Sequence, residues 1–165
     1  MDLRRILRHV AHTRFATRRA FPAPALAALG RAVTAGERRH AGEVRCVVEG
    51  ELDWDALLAG QTARERALEV FALERVWDTA ANSGVLIYLL LADRDVEIVA
   101  DRGYNGRVAP AEWQAVCAEM ERRFRAGDFA AGTVAGIESV HRLAEREFPA
   151  SGAGVNELSD QPRQR

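Results

Sequence analysis

Residues 62–104 read TARERALEVFALERVWDTAANSGVLIYLLLADRDVEIVADRGY, and the fold turns on how that stretch is parsed. Thr62 and Glu65 have the Thr-x-x-Glu spacing of a capping box, in which two side chains satisfy backbone N–H groups left free at a helix start. Ala67, Leu68 and Phe71 follow at helical spacing, which predicts a helix to about Arg75. Residues 85–91 are apolar without alternation, as a strand covered on both faces requires. Asp93-Arg94-Asp95 interrupts the run and residues 96–100 resume it, so the two runs predict a hairpin through a three-residue turn. With Ala92 facing Val96, register puts Asp101 opposite Ile87 and Tyr104 opposite Gly84.

Upstream, residues 43–50 predict a strand with Val44, Cys46 and Val48 on one face, and Cys46 reads as a small apolar core group. A helix between two strands implies that they run parallel. Pro24 suits the first turn of a helix reaching about Arg38. Downstream, Pro110 opens a helix with Trp113, Val116, Cys117, Met120 and Phe124 on one face, and Gly127 suits its stop. A last helix over 130–147 carries Ile137, Val140, Ala144 and Phe148, with Gly132 and Gly136 allowing close approach. The expectation is an α/β protein with helices on both faces of a small mixed sheet of three to four strands. Its organisation reads as an N-terminal basic helical segment (1–40), a folded domain (41–149) and a polar, disordered tail (150–165).

A chain of 165 residues with 48% apolar and 28% charged side chains suits one globular domain and excludes a disordered protein. The 23 basic residues, all Arg, stand against 24 acids, and a net charge of −1 argues against specific nucleic-acid binding. Charge is uneven: residues 1–40 carry +7 and residues 41–165 carry −8. Leu3, Ile6, Leu7 and Val10 form an apolar stripe edged by Arg4, Arg5, Arg8 and His9. Such a helix either docks on its own domain or attaches to an anionic membrane surface or acidic partner, giving peripheral membrane contact through residues 1–20. The longest apolar run, residues 84–92, falls short of the roughly 18 residues a membrane helix needs. Without an apolar signal region at the start, a cytoplasmic location is expected. Cys46 and Cys117 form no paired motif that would indicate a disulfide framework or zinc site.

Several chemical motifs dissolve on inspection. Cys117 and Arg123 have the C-x5-R spacing of cysteine phosphatases, but they fall on a helix whose backbone donors are used, beside the repelling Glu119 and Glu121. Asp93-x-Asp95 is an ordinary polar hairpin tip or a cation site. Glu138, His141 and Glu145 share a helical face, but one His reads better as a half-buried residue at the stripe's edge. His9, His12 and His40 have no ligand spacing. The loop 77–84 is least explained by packing. The hairpin brings its end near Asp101-Arg102-Gly103-Tyr104, and parallel strands start His40 and Glu43 at the same end. Several oxygens and an Arg would converge there, either as a turn network or as an ion site. At the opposite end lies an acidic rim of Glu51, Asp53, Asp55, Asp93 and Asp95. The carboxyl-end rule for ligands favours that rim; the mixture of acids, an amide and Arg favours the first end.

The combination of VWDT at residues 76–79, N-x-GVLIYLLLADR at 82–94 and EIVADRG at 97–103 resembles the TPM-domain family over about residues 41–149. The HAGEVR at residues 40–45 and NELSDQP at 156–162 are similar to a short soluble bacterial subgroup. The resemblance implies a three-layer α/β/α sandwich. It also implies weak phosphatase activity and divalent-cation binding in some members, and assembly or repair of membrane complexes in others. The chain departs from better-known members in lacking a signal peptide, membrane helix and Gly-rich tail. The asparagine pair often seen before GVL is Asn82-Ser83 here, so one amide ligand is missing. Three roles follow: an interaction or assembly module for a protein partner that binds a divalent cation structurally, a metal-dependent phosphatase, or a membrane-surface adaptor working through the N-terminal helix. In the second, Asp78, Asn82, Asp101 and Glu43 would supply oxygens around Ca or Mg, and Arg102 would neutralise developing charge while metal-bound water attacks.

Overall fold

A computed structural model describes residues 2–150 and 156–165. In chain order the elements are α1 (Leu3–Ala11), α2 (Arg14–Ala20), α3 (Ala23–Glu37), β1 (Glu43–Glu49), α4 (Trp54–Leu58), α5 (Ala63–Leu73), β2 (Gly84–Leu90), β3 (Asp95–Ala100), α6 (Pro110–Arg125), α7 (Phe129–Glu147) and β4 (Arg163–Gln164). The sheet order is β3-β2-β1-β4, with β1 parallel to β2 and β4, and β3 antiparallel to β2. The capping box forms as read: Glu65 N–H donates to Thr62 Oγ1 at 3.1 Å and Thr62 N–H to Glu65 Oε2 at 2.8 Å. It starts the α5 crossover that makes β1 and β2 parallel.

Side-chain alternation divides the core into two layers. Val44, Cys46 and Val48 join Val85, Ile87 and Leu89 on the face covered by α3, α6 and α7. Val47, Leu86, Tyr88 and Leu90 pack with Ala67 and Val70 of α5 on the other. The result is the expected three-layer α/β/α sandwich around a small mixed sheet.

Four expectations are corrected. The hairpin register is offset by three places: β2–β3 pairing runs from Leu90↔Asp95 to Val85↔Ala100, with residues 91–94 connecting them. Leu91 and Ala92 donate to Glu49 O and Gly50 O, each at 3.0 Å, so they extend the β1 contact instead of opposing Val96. Asp101 N–H accordingly donates to Gly84 O at 2.9 Å.

The boundary at residue 40 separates nothing. Phe21, Leu29 and Val33 are buried in the core, because the basic residues of this segment leave an apolar face that packs against β1 and α7.

The tail expected to be disordered from residue 150 instead contributes β4 and covers the edge of β1; residues 151–155 lie outside the described residues. Its polarity is matched by partners. Arg45 donates to Ser159 O at 2.8 Å and Gln161 O at 2.6 Å, while Arg165 and Arg163 reach Glu74 at 2.8 and 3.0 Å. Covering an edge strand removes a row of unpaired backbone groups.

His141, read as half-buried, is fully buried. It lies against Gly36, where a Cβ would come within 2.0 Å of its ring.

Candidate functional site

The two stretches proposed to meet do meet, at the amino end of the parallel strands. Gly103 N–H donates to Asn82 O at 3.0 Å, and the Tyr104 hydroxyl to Ser83 O at 3.3 Å. Added Cβ atoms at Gly84 and Gly103 would stand 2.0 Å from Val76 O and 2.4 Å from Asn82 O, so only glycine allows this approach. Asn82 takes φ 52, a left-handed conformation that Asn tolerates better than most residues.

The predicted ligands do not converge. Asn82 Oδ1 accepts from Arg102 Nε at 2.8 Å, and Asp101 Oδ1 accepts from Arg102 N–H at 2.7 Å. Asp78 pairs with Arg75 and lines a hollow of 320 Å³ with Arg45, Glu74 and Glu157. Glu43 accepts from Leu158 N–H at 3.1 Å, and burial pushes its carboxyl above the ordinary range. The tail therefore occupies Glu43, Arg75 occupies Asp78, and Arg102 occupies Asn82 and Asp101. Among the described residues no group of three His, Cys, Asp or Glu side chains is placed to hold a metal ion. Of the four expected ligands, only Asp101 retains a buried oxygen, Oδ2, without a partner. A hard cation needs several converging oxygens, so these residues fit a resident Ca or Mg ion in that one atom alone.

The opposite end is better organised than its acidic composition suggested. Asp93 accepts from Arg5 Nε at 2.8 Å and Arg8 Nη2 at 2.9 Å, with His9 Nε2 3.2 Å away. Burial alone would raise the Asp93 carboxyl, but the hydrogen bonds from these three groups hold it well below the usual range. His9 is buried, its Nδ1 accepting from Leu52 N–H at 3.1 Å. Arg5 also donates to Gln61 O at 2.8 Å. Asp53 caps α4 through Ala56 N–H at 2.9 Å. Thus α1 sits over the carboxyl ends of β1 and β2 by its charged face. Three of the four residues of its apolar stripe point away from the protein, Leu3, Leu7 and Val10 being 63%, 60% and 55% exposed, while Ile6 is half-buried. Val10 and Trp54 line a common groove of 430 Å³ with His9, His12 and Glu51. Phe15 and Leu58 are also exposed.

Sequence reading missed one polar pair altogether. His40 Nε2 lies 2.7 Å from His141 Nδ1, and His40 Nδ1 accepts from Gly42 N–H at 3.1 Å. That second bond leaves the His40 proton on Nε2, which donates to His141 Nδ1. The two residues are 101 apart in sequence, so no local spacing could announce them. Burial, and then the neighbouring His40, push His141 down to about 4. His40 is lowered mainly by burial.

A mixed four-stranded sheet between helical layers, with a glycine-dependent loop at one end and a charge-held helix at the other, defines an α/β/α domain of one recognisable class. The family model described as TPM domain matches residues 19–143, and the chain belongs to that family. It is similar in structure to the BA42 protein from the psychrophilic bacterium Bizionia argentinensis, at 26% identity and a TM-score of 0.75, covering 88% of this chain and 95% of that one. It also shares its fold with the N-terminal domain of a P. gingivalis protein, at 18% identity and a TM-score of 0.60, covering 79% and 82% of the two chains. No curated protein matches the sequence. Among the described residues no helix is long and apolar enough to cross a membrane.

Proposed function

We propose that this chain is a TPM-domain interaction module that docks through the outward face of α1 and the adjoining α4. The observation that carries this reading is an apolar stripe left in solvent on a helix fastened by its polar side. A helix normally buries its apolar stripe against its own domain; here Asp93 and Leu52 hold α1 the other way round. A photo-crosslinking residue at position 7 tests it in the cells that make the protein. Adducts at position 7, and none at the equally solvent-facing position 122, are expected; position 7 without adducts would reject the reading.

A second reading, cation binding, draws on Asp101 Oδ2. Titration with calcium or magnesium, followed by the backbone resonances of residues 101–104, would support it if saturable shifts vanish in Asp101→Asn. Shifts that persist in that variant, or no shifts in the parent, would remove it. The hydrolytic reading draws on Arg102 alone, whose guanidinium is solvent-facing and bonded to Asn82. As an interaction module the full chain should release no phosphate from p-nitrophenyl phosphate with Ca, Mg or Mn. Turnover lost in both Asp101→Asn and Arg102→Ala would replace this assignment with the enzymatic one.

A further inference from the structure

We infer that the surface met by α1 is an anionic lipid bilayer, with the helix lying in the plane of the headgroups and the sheet's carboxyl end facing the membrane. The inference rests on the docking reading above and names its partner. Residues 1–20 hold six arginines against a single acid, Asp2, whose carboxylate caps α1 by accepting from Arg4 N–H at 2.9 Å. Among the described residues the side chains of Arg4, Arg14, Arg18 and Arg19 pair with no carboxylate, and all four residues are exposed. Arg8, bonded to Asp93, keeps 56% of its side chain in solvent.

Around the helix axis, Leu3, Leu7 and Val10 form the outer stripe, and Arg4 and Arg8 follow along one edge. An apolar strip with a cationic margin matches the boundary between acyl chains and anionic headgroups. Trp54, 58% exposed, shares a groove with Val10 and adds an aromatic side chain beside that strip, and aromatic rings favour this interfacial depth. A twofold dimer through α1 would pair the two apolar stripes but also bring their like-charged arginine margins together, whereas an anionic headgroup layer meets both features. Asp93 gives the arrangement its rigidity: the helix is held at the surface before it meets lipid, so its orientation need not be fixed on arrival.

The test uses the full chain and vesicles of phosphatidylcholine, alone or mixed with phosphatidylglycerol. Co-sedimentation with the anionic vesicles, little with the neutral ones, and release by high salt are expected. Tryptophan emission should shift to the blue on binding, and the shift should shrink in Trp54→Phe. The variant carrying Leu3→Glu and Leu7→Glu should bind at least about tenfold more weakly. Both positions are exposed, so an unchanged thermal midpoint will show that the fold survives; Leu7→Ala gives a milder second variant with a smaller loss. Absence of binding to anionic vesicles, or binding indifferent to both leucine variants, overturns the lipid assignment. If position 7 still crosslinks to protein, or if sedimentation velocity shows a self-associated species that Leu7→Glu dissolves, the docking reading stands with a different partner. If neither vesicles nor crosslinks are found, both fall.

Discussion

His40 and His141 are stable only as neutral partners. Protonating His40 would aim an N–H at the Gly42 N–H, and protonating His141 would aim one at the His40 donor. An unfolded His takes up its proton near pH 6.5, whereas His141 resists until about 4. The unfolded state therefore binds more protons across that window, and the pair's contribution is complete above it and fades as pH falls through it. Glu37 slopes the other way. Burial, with Glu43 and Asp160 nearby, pushes it up to about 8, so its contribution weakens as pH rises from 4.5. The two effects are separated by comparing variants. On acidification from about pH 7 to about pH 4.5, the parent should lose urea resistance faster than His141→Gln. Parallel pH profiles would show that the pair is not the titrating element. At Gly36 an added methyl meets the His141 ring, and Gly36→Ala should cost about 1–3 kcal/mol, read as a lowered urea midpoint at unchanged slope.

Among the elements, α1 and β4 are kept in place by side chains from distant parts of the chain. Asp93→Ala removes the acceptor shared by Arg5, Arg8 and His9, and leaves buried His9 facing no carboxylate. The expected loss is about 2 kcal/mol, expressed locally as faster amide exchange over residues 5–11 with β2 unaffected. Slow exchange in α1 of this variant would mean that apolar contacts hold the helix. Deleting residues 156–165 should lower the thermal midpoint and unprotect the Gly50 amide, which donates to Arg165 O at 3.3 Å; a midpoint equal to the parent's would show the tail to be dispensable. These two elements also mark where the sequence stopped being legible. The capped crossover, the unalternating central strand and the long helices declare themselves by local spacing, so the layers could be read directly. The hairpin offset could not, because it depends on Leu91 and Ala92 bonding to β1. Nor could the tail, whose Ser159, Gln161 and Arg165 find partners in Arg45 and Glu74, residues that carry no mark of waiting for one. The candidate site was half legible: the meeting of residues 82–84 with 101–104 was foreseen, but not that Arg102, Arg75 and Leu158 would occupy most of its oxygens.

At the scale of the whole molecule, the two ends of the parallel strands differ in kind. The amino end is closed by internal bonds and keeps one free buried oxygen, on Asp101. The carboxyl end presents an apolar, arginine-edged helix to the outside. Part of the basic segment settles on the acidic rim at Asp93, while Arg4, Arg14, Arg18 and Arg19 stay exposed. The central claim is that α1 marks the working surface and the Asp101 end faces away from it. Spin labels on cysteines introduced singly at positions 7 and 102 test this most directly. The native thiols interfere little, because burial pushes both Cys46 and Cys117 up to about 12 and leaves them unreactive near neutral pH. On phosphatidylglycerol-containing vesicles the account predicts a label at position 7 that oxygen reaches and a water-soluble nickel relaxer does not, with the label at position 102 remaining open to nickel. A label at 102 that becomes shielded while position 7 stays in water would contradict it.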